Sequence, residues 1–152
     1  MALNQDMNKI IDLIIHNEEI MKLVVNDVAI AQSLGPIINP EQYIHDRINT
    51  YRYDPTIKTE VKTYINIAFG NIKKINRIYR ATKIEVYILV HDSLKMITDG
   101  SRIFALVDLL DNLLNENKTL GFGLRLESVT ELTGLTNYIA YRMIFENIDF
   151  KG

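Results

Sequence analysis

The apolar residues of this chain recur on two different periods, and the change between them fixes the fold class. Near the amino terminus Met7, Ile10, Ile11, Ile14 and Ile15 fall three and four apart, the spacing of one helical face. From residue 61 the repeat is two. Val61, Thr63, Ile65, Ile67 and Phe69 alternate with Lys62, Tyr64, Asn66 and Ala68, and Ile84, Val86, Ile88 and Val90 alternate with Glu85, Tyr87 and Leu89. Such alternation belongs to strands that bury one side. The helical period returns once, through Ile103, Leu106, Val107, Leu110, Leu113 and Leu114, with Asp108, Asp111 and Asn115 facing out. A third strand is read through Leu124, Leu126 and Val129, and alternation resumes over 138–150.

Punctuation residues sharpen the order. Asn17 before Glu18 and Glu19 reads as a break and a fresh N-cap, because Asn accepts from the free N–H groups of a helix start and acids suit its first turn. Asn39-Pro40-Glu41 reads as another helix start, leading into a short helix with Tyr43, Ile44, Arg47 and Ile48. Pro55 turns the preceding residue towards extended backbone and closes the helical region. Gly70-Asn71 is expected to stop the first strand, and a second strand is expected over 83–90. The expectation is therefore one α+β domain over 1–152. Its helical amino-terminal part spans 5–50, and a sheet with its helix spans 58–150. That second part has the order β-β-α-β-β: four strands, mainly antiparallel, with one long helix packed on them.

Composition narrows the chemistry. The chain has no cysteine, which removes disulfides, thiolate metal sites and cysteine nucleophiles together. Its three histidines, His16, His45 and His91, stand far apart and form no ligand-spaced pair. The glycines of Gly121-Phe122-Gly123 follow a helix and precede a strand, the reverse of a phosphate-binding loop. No serine sits in a nucleophile elbow. The expectation is no catalytic residue, no cofactor, no metal and no enzyme. With 17 basic against 19 acidic residues, the chain lacks the basic excess from which nucleic-acid binders draw their affinity. No apolar run approaches the length of about 20 residues that spans a bilayer, and the amino terminus lacks the pattern of a signal peptide. A protein made and kept in the cytoplasm, with protein partners, is expected.

One segment breaks the even charge distribution. Over 71–83 the chain carries Lys73, Lys74, Arg77, Arg80 and Lys83 with no acid, interleaved with Ile72, Ile75, Ile78 and Tyr79. It reads either as a solvated hairpin tip or as an arm that docks on an acidic neighbour through Lys73, Lys74, Ile75, Arg77, Ile78 and Arg80. The final strand poses a similar choice. Apolar residues on both of its sides suit a central strand or a sheet surface covered by another subunit.

The run of elements from residue 55 onwards resembles a known group. A strand ends Thr63-Tyr64-Ile65-Asn66-Ile67-Ala68-Phe69, and a second reads Lys83-Ile84-Glu85-Val86-Tyr87-Ile88-Leu89-Val90-His91. Gly100-Ser101-Arg102-Ile103 opens a helix that ends near Leu113-Leu114-Asn115-Glu116, and Gly121-Phe122-Gly123-Leu124-Arg125-Leu126 and a terminal Tyr141-Arg142-Met143-Ile144-Phe145-Glu146-Asn147-Ile148-Asp149-Phe150 follow. This resembles the tail terminator (tail completion) group of tailed-bacteriophage neck proteins. The resemblance implies an α+β subunit of a homo-oligomeric ring, commonly a hexamer, that caps the tail tube and joins it to the head-side connector. Its partners would be itself, the tail tube protein and a neck or connector protein, with DNA met only in passage and no membrane. It would be assembled in the host cytoplasm and reside in the virion. The less familiar helical start leaves open another neck ring (head completion, stopper or adaptor), and a cytosolic interaction module is the reading from a different class.

Overall fold

The computed structural model describes residues 2–50, 60–75, 79–117 and 123–150; for Ala2, Lys74, Tyr79, Arg80 and 148–150 the description covers the backbone alone. Two helices open the chain, α1 (Ala2–Ile15) and α2 (Glu18–Val25), and they separate where the cap residue stands. The Asn17 side chain accepts from the Ile20 amide at 3.0 Å, satisfying one of the free donors of α2. Ile10, Ile14, Ile20, Leu23 and Val24 are fully buried, so both apolar stripes face the same core.

The following stretch departs from expectation. Asn39 adopts a left-handed conformation (φ 52°) and makes no side-chain cap, and only a 3-10 turn forms over Pro40–Tyr43. The chain then enters a strand, β1 (Ile48–Asn49), which lies parallel to β2 (Thr63–Lys74) with Ile48 opposite Ile65. The expected short helix through Ile48 is thus a turn and a sheet edge. Buried Ile48 is better used on a pleated surface than on a helix of one turn.

The main sheet has five strands rather than the expected four, in the order β1-β2-β3-β7-β6, with β3 spanning Tyr79–His91, β6 Leu124–Leu132 and β7 Tyr138–Phe150. All its neighbours are antiparallel except β1 and β2. β2 runs through Gly70-Asn71 instead of stopping there, by means of a bulge that sets two residues against one between Phe69 and Ile72. β7 is a central strand, paired with β3 from Tyr138↔His91 to Phe150↔Tyr79 and with β6 on its other side. A two-stranded ribbon of β4 (Met96–Ile97) and β5 (Gly100–Ser101) leads into α3 (Arg102–Leu114).

The three described helices cover one face of the sheet. Ile103, Leu106 and Leu110 of α3 join Ile65, Ile67, Ile84, Val86, Ile88, Met143 and Phe145 in a single apolar cluster. The opposite face carries a smaller cluster of Tyr64, Leu89, Tyr138 and Ala140 at one end and polar residues beyond it.

One side chain ties the helices to this frame. Arg102, at the start of α3, is fully buried, and its guanidinium donates to four main-chain carbonyls: Leu94 (2.8 Å), Leu23, Asn26 (3.0 Å) and Val28 (2.9 Å). Leu23 belongs to the last turn of α2, whose carbonyls have no helical partner. Arg47 serves the same end, donating to the Val24 carbonyl at 2.7 Å while gripping both oxygens of Asp27 at 3.0 and 3.2 Å. Arg102→Met takes a donor from four carbonyls, of which Val28 keeps the Ala31 amide, and each carbonyl left bare costs about 1–3 kcal/mol. It is expected to cost more than about 3 kcal/mol in urea unfolding, against about 2–5 kcal/mol for the cavity left by Leu106→Ala. A loss below about 1 kcal/mol for Arg102→Met contradicts the linking role.

Candidate functional site

The basic segment becomes the far end of the sheet. β2 and β3 stay paired to Lys74↔Arg80, and β7 accompanies β3 as far, with Asp149 opposite Arg80. The projection is therefore three strands wide, joined by backbone ladders. On it Lys73 is exposed, and Ile72 and Ile75 are 45% and 49% exposed, flanking that charge with apolar surface. Lys74 and Arg80 are placed by register alone, and Arg77 and Ile78 lie outside the described residues.

Not all of the basic charge is free. Lys83 bonds Glu127 of β6 and lies 2.8 Å from Glu146 of β7. The hydrogen bonds to Glu127 and Glu146 hold the Lys83 ammonium above the usual lysine range. A stretch without acids in sequence thus has acids beside it in space, supplied by strands more than forty residues away.

The sheet face away from the helices holds a second polar group. Glu85 is buried there, accepts from the Tyr87 hydroxyl at 2.9 Å and lies 3.8 Å from the Arg142 guanidinium. Its carboxylate rests on Gly70, where an added Cβ would stand 2.8 Å from Oε2, so the bulge glycine gives the acid its room. Next to it Asn49 donates to Asn66 at 2.9 Å across β1 and β2. These contacts fasten strands to one another. They place no nucleophile beside a base.

A cleft of about 520 Å³ opens between α1 (Met7, Ile11), the turn at Ile44 and His45, and Phe69 of β2. His45 is the one titratable residue that lines it. His91 uses its ring nitrogen on the Ser93 amide and hydroxyl, at 3.1 and 2.8 Å, and His16 lies beside Asp12 on the surface of α1. Among the described residues no three His, Asp or Glu side chains converge as metal ligands, and no helix is long and apolar enough to cross a membrane.

Two further exposed apolar sets escaped the sequence reading. Val28, Ile30 and Met96 lie on the segments that Arg102 joins, where Thr98 donates to the Ala29 carbonyl. Phe104 and Val129 flank the edge strand β6, with the Phe104 ring edge-on to Tyr141 at 5.4 Å. Of these residues only Val129 belongs to an apolar pattern read in the sequence, and the sheet order shows that its rim is left uncovered.

A protein-family model named YomW matches residues 6–147, and the chain belongs to that family. The name is that of a Bacillus phage-region (SPbeta-like) family, which marks the chain as phage-associated. No curated protein matches it.

The Lys83 cluster is partly exposed, so solvent screening limits it to less than about 1 kcal/mol at neutral pH. Because the folded-state value of the ammonium is raised, this stabilisation is fully present below the unfolded-state value of about 10.4 and is lost as pH rises through the folded one. The difference in unfolding free energy between wild type and Lys83→Met is expected to shrink to nothing over that alkaline range. A difference that persists unchanged there contradicts the charge pairing.

Proposed function

We propose that this phage-associated, YomW-family chain is a structural virion protein: a ring-forming subunit of the neck, of the tail terminator kind, that joins the tail tube to the head-side connector. The observation that carries this reading is the three-stranded projection that presents Lys73 between exposed Ile72 and Ile75. Isolated monomers rarely hold apolar side chains out on an extension, whereas subunits of an assembly need such anchors for their neighbours. The element order over 63–150 supports it too, since two strands, α3 and two more strands of the main sheet follow one another as in the group the sequence resembles. The described contacts of Glu85, Lys83, His91 and Arg102 are structural, which agrees with a protein that works by binding and not by chemistry. A neighbouring neck position (head completion, stopper or adaptor ring) is the second reading, favoured by the helical layer α1 and α2 that precedes the sheet.

Mass spectrometry of purified virions is expected to find the protein in stoichiometric, multi-copy amounts, and light scattering of the isolated protein is expected to give a small closed oligomer. In infected cells Lys73→Glu/Lys74→Glu is expected to fold normally and stay out of particles, and so is Ile75→Ala/Ile78→Ala. A chain abundant in infected cells, monomeric at all concentrations and absent from virions would overturn the neck reading and favour a cytosolic interaction module.

A further inference from the structure

Among the described residues Lys73 makes no ion pair within its own subunit, and the structure offers acids on the opposite rim of the sheet. β6 is the edge strand there, and α3 runs beside it. Phe104, Asp108, Asp111 and Asn115 recur at intervals of four, three and four, so they form one stripe along the helix. Both ends of that stripe are pinned to the rim. Phe104 meets Tyr141, whose register partner on β6 is Glu131, and the Asn115 Oδ1 accepts from the Leu126 amide at 2.9 Å. Asp108 and Asp111 therefore lie along the seam between α3 and β6. Val129 and Glu131 border the same seam, on the face of β6 that pairs with Met143 and Tyr141.

The seam is apolar and acidic at once. Phe104 is 54% and Val129 41% exposed. Among the described residues of α3, the turn after it and β6 stand Asp108, Asp111, Glu116 and Glu131, while Glu127 is paired with Lys83 and Arg125 is the one exposed base. One oxygen of Asp111 is buried and accepts no hydrogen bond.

We infer that the α3–β6 seam is the acceptor for the Ile72–Lys73–Ile75 edge of a second copy of this chain. Each surface pairs apolar anchors with charge of one sign, and the signs are opposite. The two lie on opposite sides of the sheet order β1-β2-β3-β7-β6, so the contact is head-to-tail, the kind of contact from which a ring is built when its rotation closes. Exposed apolar groups on both sides supply the burial, and the charges select the pairing and its direction. This interface rests on the ring reading above and gives that ring its contact.

The test uses two charge reversals and their combination in the full-length chain, with mass by light scattering and circular dichroism to follow folding. Lys73→Glu/Lys74→Glu on the projection and Asp108→Lys/Glu131→Lys on the seam are each expected to weaken self-association at least about tenfold, the effect of about 1.4 kcal/mol. The chain carrying all four changes is expected to regain most of it, because the signs are opposite again. Phe104→Ala/Val129→Ala is the second probe of the seam, expected to weaken association even at high salt, where screening has already reduced the charge contribution. If the wild type forms its oligomer and both seam variants match it, this interface is wrong and the ring reading stands. Weakening by both reversals without recovery in the combined chain also overturns the pairing. A wild type that stays monomeric overturns both.

Discussion

The guanidinium of Arg102 is the contact on which the arrangement of helices over sheet depends. Its donors reach the last turn of α2, the segment after it and the turn before the β4–β5 ribbon, while its own backbone begins α3. Only arginine offers this many donors in one rigid plane, and a lysine ammonium would leave some of these carbonyls bare. Burial lowers the pKa of the guanidinium from its usual value, and the nearby Asp27 carboxylate works against that shift. The cost of a buried charge is met only when all three elements are in place, so α2 cannot leave the sheet without exposing both the cation and its carbonyls.

From this fixed layer the rest follows by strand pairing. β7 is bonded on both sides, and its carboxyl-terminal end travels with β3 to the limit of the basic projection. The projection and the α3–β6 seam are therefore parts of one hydrogen-bonded body. Surfaces held in this way lose little conformational freedom on docking, which favours association by preformed faces. The bulges in β2 and β6 bend these two strands and disrupt simple edge-to-edge pairing, so at the proposed interface side chains rather than a continued ladder would select the neighbour.

Much of this was legible in the residues. The Ile10 and Ile14 stripe, the Asn17 cap, the alternation about Ile84 to Val90 and the α3 stripe of Ile103, Leu106 and Leu110 all appear where local period and chemistry place them. What was not legible depends on distant partners. β1 is two residues long and has no period of its own, so its strand character comes entirely from β2. Gly70-Asn71 carries the chemistry of a turn, and the sheet uses it for a bulge. Lys83 reads as a free cation until Glu127 and Glu146 are brought beside it. Arg102 gave no signal at all, because its partners are backbone carbonyls and no residue type marks them. The seam was half visible: Asp108, Asp111 and Asn115 were read as facing out, but the exposure of Phe104 and Val129 follows from β6 being the last strand.

The absence of cysteine from the sequence makes the head-to-tail contact directly measurable. A chain carrying Ile75→Cys and Val129→Cys has one thiol on each surface and no other. Under mild oxidation at the concentration where the oligomer forms, a ladder of disulfide-linked species is expected, ending at the size of the closed ring. Chains with either cysteine alone are expected to remain unlinked. A native-sized oligomer in which the double-cysteine chain stays unlinked, or in which the Ile75→Cys chain links to itself, would contradict the pairing of projection with seam.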